Sequence, residues 1–258
     1  MTSRVRAVLD RREVLRLLVA RDLKLKYERS ALGYLWTTLE PLLLATIYWF
    51  VFEKVFDVGI DNYVLVIICG ILPWLWFSGT VSQSTGSLAG QARLVTSTSL
   101  PREIWVLRAV GSKAVEFVFS LPVLLLFVLV TGVSTGPGLL LFPVAFLIQI
   151  TLLTGVALLL STVAVVVPDV KRLIRVVMRV FFYMSPVLYP SGRVPEPYQW
   201  AYELNPLVGI IEAYRAAWFP EYYAGHHLLT YSAVVAVVVL LLGWRAFARL
   251  ERVVLKEL

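Results

Sequence analysis

The chain of 258 residues is 59% hydrophobic and only 16% charged, and its mean hydropathy is +0.78. Soluble domains carry roughly 25% charged residues, so this composition excludes a soluble enzyme and indicates an all-α integral membrane protein with several spans. The net charge of +7 does not indicate nucleic-acid binding, because the basic residues lie at the ends of the apolar segments. A single cysteine, Cys69, excludes an intrachain disulfide.

The N-terminal segment, residues 1–30, predicts a basic amphipathic helix on the cytoplasmic membrane surface, over about 10–28. Its apolar face is predicted to contain Val14, Leu15, Leu18, Val19 and Leu25. The same basic residues are equally explained as charges that only set the topology. The segment lacks an early apolar core, so we expect no cleaved signal peptide.

Six apolar segments are predicted to cross the membrane, which takes about 20 helical residues each. They lie near 31–53, 62–81, 109–131, 138–167, 173–190 and 228–248. The fifth is the weakest, since it contains Arg175 and Arg179 and is interrupted by Pro186. We expect it to cross in two pieces, where broken backbone indicates either a pathway lining or a kink against a neighbouring helix.

The distribution of basic residues predicts that both ends are cytoplasmic. With six spans, 21 of the 24 Lys and Arg residues fall on the cytoplasmic side, including those of the 249–258 tail. Only Lys54, Arg193 and Arg215 fall outside, in agreement with the positive-inside rule. Without a fifth crossing, the basic tail would face outward.

The first span contains a carboxylate, Glu40, followed directly by Pro41. Three roles are open for Glu40: a buried hydrogen bond at a helix or dimer interface, a polar lining of a substrate path, or a proton-coupling acid. Pro41 is expected to free a carbonyl and bend the helix. Lys113 and Glu116, one turn apart, are expected to neutralise each other.

Two connections between the predicted spans have distinctive compositions. The cytoplasmic one, residues 82–107, is either a docking segment or a simple connection, and a helix is expected to start near Pro101. The external one, 191–227, is rich in aromatic residues and contains a short helical pattern. It predicts either an interfacial aromatic belt or a helix that dips back into the membrane.

Motifs for chemistry are absent from the sequence. It contains no G-x-x-x-x-G-K-[S/T] phosphate cradle, no H-E-x-x-H, no G-x-S-x-G and no metal-spaced Cys/His cluster. The chain is therefore not expected to be an enzyme, and any energy for transport must come from a partner.

Four stretches in register resemble the ABC-2-type permeases, and more closely those that export polysaccharide, O-antigen, capsule or teichoic acid. They are "RDLKLKYERSALGYLWTTLEPLL" (21–43), "SLPREIWVLRAV" (99–110), "VPDVKRLIRVVMRVFFYMSPVLYP" (167–190) and "NPLVGIIEAYR" (205–215). The resemblance covers nearly the whole chain, as one transmembrane domain.

The resemblance implies a type V-like exporter fold in the bacterial plasma membrane. It implies a homodimer bound to two copies of a separate ABC ATPase subunit, which would hold ATP and Mg, with no cofactor in this chain. The segment of about 86–97 would be a coupling helix with Leu88, Arg93 and Leu94 as contacts. Residues 191–227 would form external re-entrant helices.

The resemblance further implies a substrate in which a glycan or polyol-phosphate chain is joined to a polyprenyl-pyrophosphate lipid, admitted between spans one and five. Aromatic side chains suit the apolar faces of sugar rings. Candidates for the path, beside Glu40, are Trp36, Tyr48, Trp49, Phe182, Tyr183 and Tyr189; all are equally plausible as packing residues. Candidates for the pyrophosphate at the lateral gate are Lys26, Arg29, Arg175 and Arg179, which also serve as topology determinants.

Other functions remain open at this point. An ABC-2 exporter of drugs or lipids would share the fold and the partner. An integral-membrane transferase acting on polyprenyl phosphate would turn over without an ATPase, and a structural scaffold would couple to none.

Overall fold

The structure is a computed structural model that describes residues 2–28, 30–223 and 225–257. These residues contain no strand and form eleven α-helices joined by short turns. The helices are α1 Thr2–Asp10, α2 Arg12–Tyr27, α3 Trp36–Trp49, α4 Tyr63–Ser84, α5 Ala92–Ser97, α6 Glu103–Thr131, α7 Leu141–Val166, α8 Val170–Tyr183, α9 Glu196–Glu203, α10 Pro206–Arg215 and α11 His226–Glu257.

Five helical segments among the described residues are long and apolar enough to cross a membrane. They are Gly33–Val55, Tyr63–Ser84, Glu103–Thr131, Pro137–Val166 and His226–Glu251. The first consists of a 3-10 turn, α3 and a π-helical stretch, Phe50–Val55, and a 3-10 turn also begins the fourth. Five of the six predicted spans coincide with these segments.

The remaining predicted span, 173–190, differs from a regular helix. The helix α8 has 14 residues and ends at Tyr183, and irregular chain follows to Pro190. At 1.5 Å per residue α8 is about 20 Å long, shorter than the roughly 30 Å hydrocarbon layer. Pro186 lies buried in the irregular part, which we call the 184–190 segment.

The helix α4 lies at the centre of the molecule. Most of its side chains are buried, because it packs against α3, α6, α7, α8 and α10. The helices α7 and α11 form another extensive contact, at which their backbones meet. A Cβ atom on Gly155 would lie 2.5 Å from the backbone nitrogen of Leu240, and one on Gly243 would lie 2.1 Å from the carbonyl oxygen of Gly155. Only glycine allows this approach, as in other small-residue helix contacts in membranes.

The N-terminal segment forms two helices, α1 and α2, which meet at Arg11. Of the apolar face predicted for α2, Leu25 is 64% exposed, whereas Leu23 and Tyr27, which were not assigned to that face, are buried. The reason is that α2 packs against α6. A carboxylate oxygen of Asp22 lies 3.0 Å from Nε of Arg108 on α6, so this acidic residue belongs to the buried face.

The helix α1 is held by charge at the same end of the molecule. The Arg4 guanidinium lies 3.2 Å from a carboxylate oxygen of Glu103 at the start of α6 and 2.7 Å from one of Glu251 on α11. The N-terminal helices are therefore attached to α6 and α11 as well as to the next segment in the chain.

Candidate functional site

A polar cavity of about 470 Å³ lies among α2, α3, α4 and α6; we call it the Glu40 cavity. It brings together three of the predicted site residues, Lys26, Trp36 and Glu40. The rest of its wall combines hydroxyl groups, charges and rings: Tyr27, Ser30, Thr37, Pro41, Leu72, Leu75, Trp76, Ser78, Gly79, Ser82, Lys113, Glu116, Phe117 and Ser120.

The position of Glu40 follows from the helix that carries it. Trp36 begins α3 and Glu40 comes one turn later, so both side chains point into the same cavity. Pro41 is buried and has no N–H, which leaves the carbonyl of Thr37 without its helical donor. Thr37 also lines the cavity. Glu40 thus lies on the wall of this cavity.

The two lysines of the cavity share one carboxylate. The Lys26 ammonium lies 2.8 Å from one oxygen of Glu116, and the Lys113 ammonium lies 2.7 Å from the other. The predicted Lys113–Glu116 pair is thus present, and Lys26 joins it. Burial alone would lower the pKa of Lys26, but its hydrogen bonds and charge interactions with Glu116 and Tyr27 together outweigh burial and raise the pKa above the ordinary value.

A second cavity, of about 260 Å³, lies between α3, α4 and α8; we call it the aromatic cavity. Its rings are close together, with centroids 5.8 Å apart for Tyr48 and Phe182, 5.4 Å for Trp74 and Phe182, and 5.1 Å for Phe182 and Tyr183. The remaining lining residues are Leu44, Ile71, Leu75, Ser78, Met178 and Arg179. Leu75 and Ser78 line both cavities, which therefore adjoin across α4.

Three other predicted residues lie away from both cavities. Trp49 packs against the core with the Lys54 ammonium 5.4 Å from its ring centroid. Tyr189 donates a hydrogen bond from its hydroxyl to the carbonyl of Tyr183. Arg175 is exposed on α8, one turn before Arg179. A fourth, Arg29, lies outside the described residues.

The 184–190 segment is held in place by the fully buried guanidinium of Arg215. Its Nη2 donates to the carbonyl of Val187 at 2.8 Å, its Nη1 to that of Tyr189 at 3.2 Å, and its Nε to that of Val66 on α4 at 3.1 Å. Irregular backbone at membrane depth requires such partners inside the protein. The irregular backbone that follows α8 is thus stabilised by hydrogen bonds from the end of α10.

Asn205 and Tyr63 complete the support of this segment. The Asn205 amide donates to the carbonyl of Met184 at 3.1 Å, and its oxygen accepts from the N–H of Leu207, so that it also caps α10. The Tyr63 hydroxyl donates to the carbonyl of Leu188 at 2.7 Å. Sequence reasoning assigned no role to these residues or to Trp74. An Asn directly before a helix-starting proline was the available signal for the cap.

The cytoplasmic connection contains a 3-10 turn, Ala89–Gln91, followed by α5. Of the three predicted partner contacts, Arg93 is exposed and Leu94 is half-buried, but Leu88 is 1% exposed and belongs to the core. As the chain is folded here, Leu88 supports this turn from inside and only Arg93 and Leu94 present surface to a partner.

Comparison with known proteins gives matches over most of the chain. The ABC-2 type transporter family matches residues 13–219. The O-antigen export system permease protein RfbA of Myxococcus xanthus is 30% identical over 253 residues, which are 97% of this chain and 96% of that protein. A protein of the same name from Klebsiella pneumoniae is 29% identical over 240 residues, with 93% and 92% covered. The polysialic acid transport protein KpsM of Escherichia coli is 24% identical over 249 residues, with 92% and 93% covered.

Proposed function

Because the chain belongs to the ABC-2 type transporter family, we propose that it is the permease subunit of an ATP-driven exporter. Its substrate is a glycan or polyol-phosphate polymer linked to polyprenyl pyrophosphate, moved across the bacterial plasma membrane. The relatives named as O-antigen export and polysialic acid transport proteins support a sugar polymer as the cargo. Their coverage from end to end supports a transport subunit without its own ATPase.

The observation that carries the proposal is the pair of adjoining cavities. The aromatic cavity offers the faces of Tyr48, Trp74 and Phe182, which suit the apolar faces of sugar rings. The Glu40 cavity offers hydroxyls and a carboxylate beside the Trp36 indole, and a carboxylate accepts hydrogen bonds from sugar hydroxyls. Both chemistries are needed to hold a chain of sugars while it passes.

The energy source and assembly follow from the family resemblance. Two copies of the chain would form the path, with two copies of an ABC ATPase that binds ATP and Mg. The surface of α5 around Arg93 is exposed and would contact the ATPase, while α1 and α2 would lie along the membrane surface. No phosphate-cradle motif occurs in this sequence, and we assign the ATPase to a separate subunit.

The proposed topology has six crossings with both ends cytoplasmic. The fifth would consist of α8 and the 184–190 segment together, which places the 191–227 region outside. In that region α10 packs against α4, α7 and α11, and this packing supports a helix that re-enters the membrane.

The pyrophosphate of the lipid would bind basic groups at the cytoplasmic boundary. Of the predicted residues, Lys26 is already paired with Glu116, whereas Arg175 and Arg179 are exposed. The arginines are therefore the better-placed candidates, and a guanidinium binds phosphate in a bidentate manner.

Co-purification with the ATPase encoded beside this chain tests the proposal. The tagged chain is expected to hold that ATPase in a stable complex whose ATP hydrolysis rises on addition of a polyprenyl-pyrophosphate-linked glycan. Stimulation by drugs or other lipids, with none by the glycan lipid, would instead support a drug or lipid exporter. Failure to form any complex would refute the ATP-driven assignment.

A further inference from the structure

The helix α8 has three distinct faces. Its arginines, Arg172, Arg175 and Arg179, are spaced by three and four residues and so lie along one side. A second side packs against α4, where the ring of Phe181 lies 6.2 Å from that of Trp74. The third side is apolar and exposed, with Leu173, Val176 and Val180.

The arginine face has little negative charge to balance it. Arg172 lies 3.8 Å from Asp169, with both side chains more than 80% exposed, and an exposed pair of this kind contributes little. Within the described part of the chain, Arg175 and Arg179 form no ion pair and no hydrogen bond. In the neighbouring Glu40 cavity, Lys26 and Lys113 are balanced by Glu116 and Glu40. The unbalanced positive charge therefore belongs to α8.

Topology alone does not account for the whole face. A charge that only fixes the orientation of a span can do so from the membrane boundary. Arg172, in the first turn of α8, would suffice for this purpose. Arg179 lies about 13 Å further along the axis than Val170. A charge at such depth must face water or a counterion. It borders the aromatic cavity together with Tyr48 and Phe182.

We propose that the arginine face of α8 is a track for the polymer chain itself, and that the exported polymer carries anionic groups, carboxylate or phosphodiester, on its repeating units. This inference rests on the proposed function and names the charge class of its substrate. Arg175 and Arg179 pair with successive anionic groups, while Tyr48 and Phe182 pack against the sugars between them. The guanidinium suits this task because it binds carboxylate and phosphate equally well and stays charged.

The test uses the complex of this chain with its ATPase in lipid nanodiscs. Three polyprenyl-pyrophosphate-linked oligosaccharides share the same lipid, head group and first sugar, and differ in their repeats, which are neutral, uronic-acid-containing or glycerol-phosphate-containing. The readout is the concentration that gives half-maximal stimulation of ATP hydrolysis. For the wild type we expect this concentration to be about tenfold lower with at least one acidic oligosaccharide than with the neutral one.

The variant combines Arg175→Gln with Arg179→Gln. It is expected to lose the roughly tenfold preference for the acidic substrate, so that the acidic and the neutral chain give the same half-maximal concentration. The matched control combines Arg245→Gln with Arg249→Gln, an exposed pair with the same four-residue spacing on α11, and should keep the preference. Lysine at both α8 positions should preserve part of it. Raising the salt from about 0.05 to about 0.5 M should reduce the wild-type preference.

The possible results separate this inference from the proposed function. Equal stimulation of the wild type by neutral and acidic chains, or a preference for the neutral chain, overturns the inference without affecting glycan export. A glutamine variant whose half-maximal concentrations rise equally for both chains, so that the preference is kept, would assign the arginines to the shared pyrophosphate alone, and also overturns it. No stimulation of the wild type by any of the three lipids would refute glycan export itself. The wild-type comparison decides the question even if the variants fail to assemble.

Discussion

At the scale of single residues, the polar groups inside the bundle serve two purposes. Arg215, Asn205 and Tyr63 direct their donors at carbonyls of the 184–190 segment, and hold backbone that has no helical partners. Glu40 faces a cavity instead, and no other side chain of the described residues donates a hydrogen bond to it. The first group maintains the fold, and Glu40 remains available to a substrate.

Replacing Arg215 should therefore affect stability. Arg215→Gln cannot reach all three carbonyls and leaves buried acceptors unsatisfied, which costs about 3 kcal/mol. We expect the midpoint of thermal unfolding in detergent to fall by roughly 5–10 °C. Arg193→Gln, at an exposed arginine in the same external region, is the control and should leave the midpoint unchanged. An equal midpoint for both variants would refute the supporting role of Arg215.

Replacing Glu40 should affect transport and not stability. The Glu40 side chain is exposed to its cavity, so Glu40→Ala should leave the unfolding midpoint unchanged. The loss of a charged hydrogen-bond acceptor is expected to raise the glycan-lipid concentration for half-maximal ATP hydrolysis by about tenfold. Glu28→Ala removes an exposed carboxylate from the end of the N-terminal helices and should have no effect. An unchanged half-maximal concentration in Glu40→Ala would show that Glu40 does not contact the substrate.

At the scale of elements, the contact between α2 and α6 joins an N-terminal helix to a helix of membrane-spanning length. Val19 lies over Gly111, where an added Cβ would approach its side chain to 3.0 Å. The Asp22–Arg108 and Lys26–Glu116 ion pairs join the same two helices. A movement of α2 must therefore displace α6 or break these ion pairs.

Hydrogen–deuterium exchange measures this attachment. Asp22→Ala leaves Arg108 on α6 without its carboxylate, which for a buried charge is strongly destabilising, and the amides of α2 are expected to exchange at least about tenfold faster. Glu13→Ala breaks another ion pair on α2, with Arg16 at 3.0 Å, in which both side chains are exposed. This control should exchange as the wild type does. Equal protection in both variants would show that apolar packing alone holds α2.

Sequence patterns predicted the helices of spanning length well, but they predicted the contacts between helices poorly. Long apolar runs are visible in any window, so five spans coincide with helices. The exposure of Leu25 and the partial burial of Asp22 on α2 depend on what packs against the helix, namely α6 with Arg108, from a distant part of the chain. Trp36 and Glu40 share a cavity because they are one turn apart, which periodicity predicts. Tyr48 and Phe182 meet only through tertiary packing, and it was the family resemblance that paired spans one and five.

At the scale of the whole molecule, the number of crossings decides on which side each end lies. Five helical segments of the described residues have spanning length, and α8 would need the 184–190 segment to make a sixth crossing. Five crossings would place the two ends on opposite sides, whereas six would place both ends on the same side.

Thiol labelling of intact cells distinguishes these arrangements. The single native cysteine, Cys69, is 2% exposed and contributes little background. With six crossings, Arg11→Cys and Lys256→Cys are both expected to be protected from a membrane-impermeant maleimide until the cells are opened, and Gly192→Cys should react at once. Lys256→Cys that reacts in intact cells while Arg11→Cys is protected would establish five crossings.

The hydrogen bonds of the 184–190 segment also constrain the order in which the chain is assembled. The carbonyls of Met184, Val187 and Tyr189 accept from Asn205 and Arg215, which leave the ribosome later than the segment they support. Until those residues arrive, these carbonyls have no protein donors and cannot be settled in hydrocarbon. We therefore expect a crossing made of α8 and the 184–190 segment to wait at the membrane surface or in the insertion machinery until residue 215 has been synthesised. Its completion then depends on residues 205–215, which are made after it.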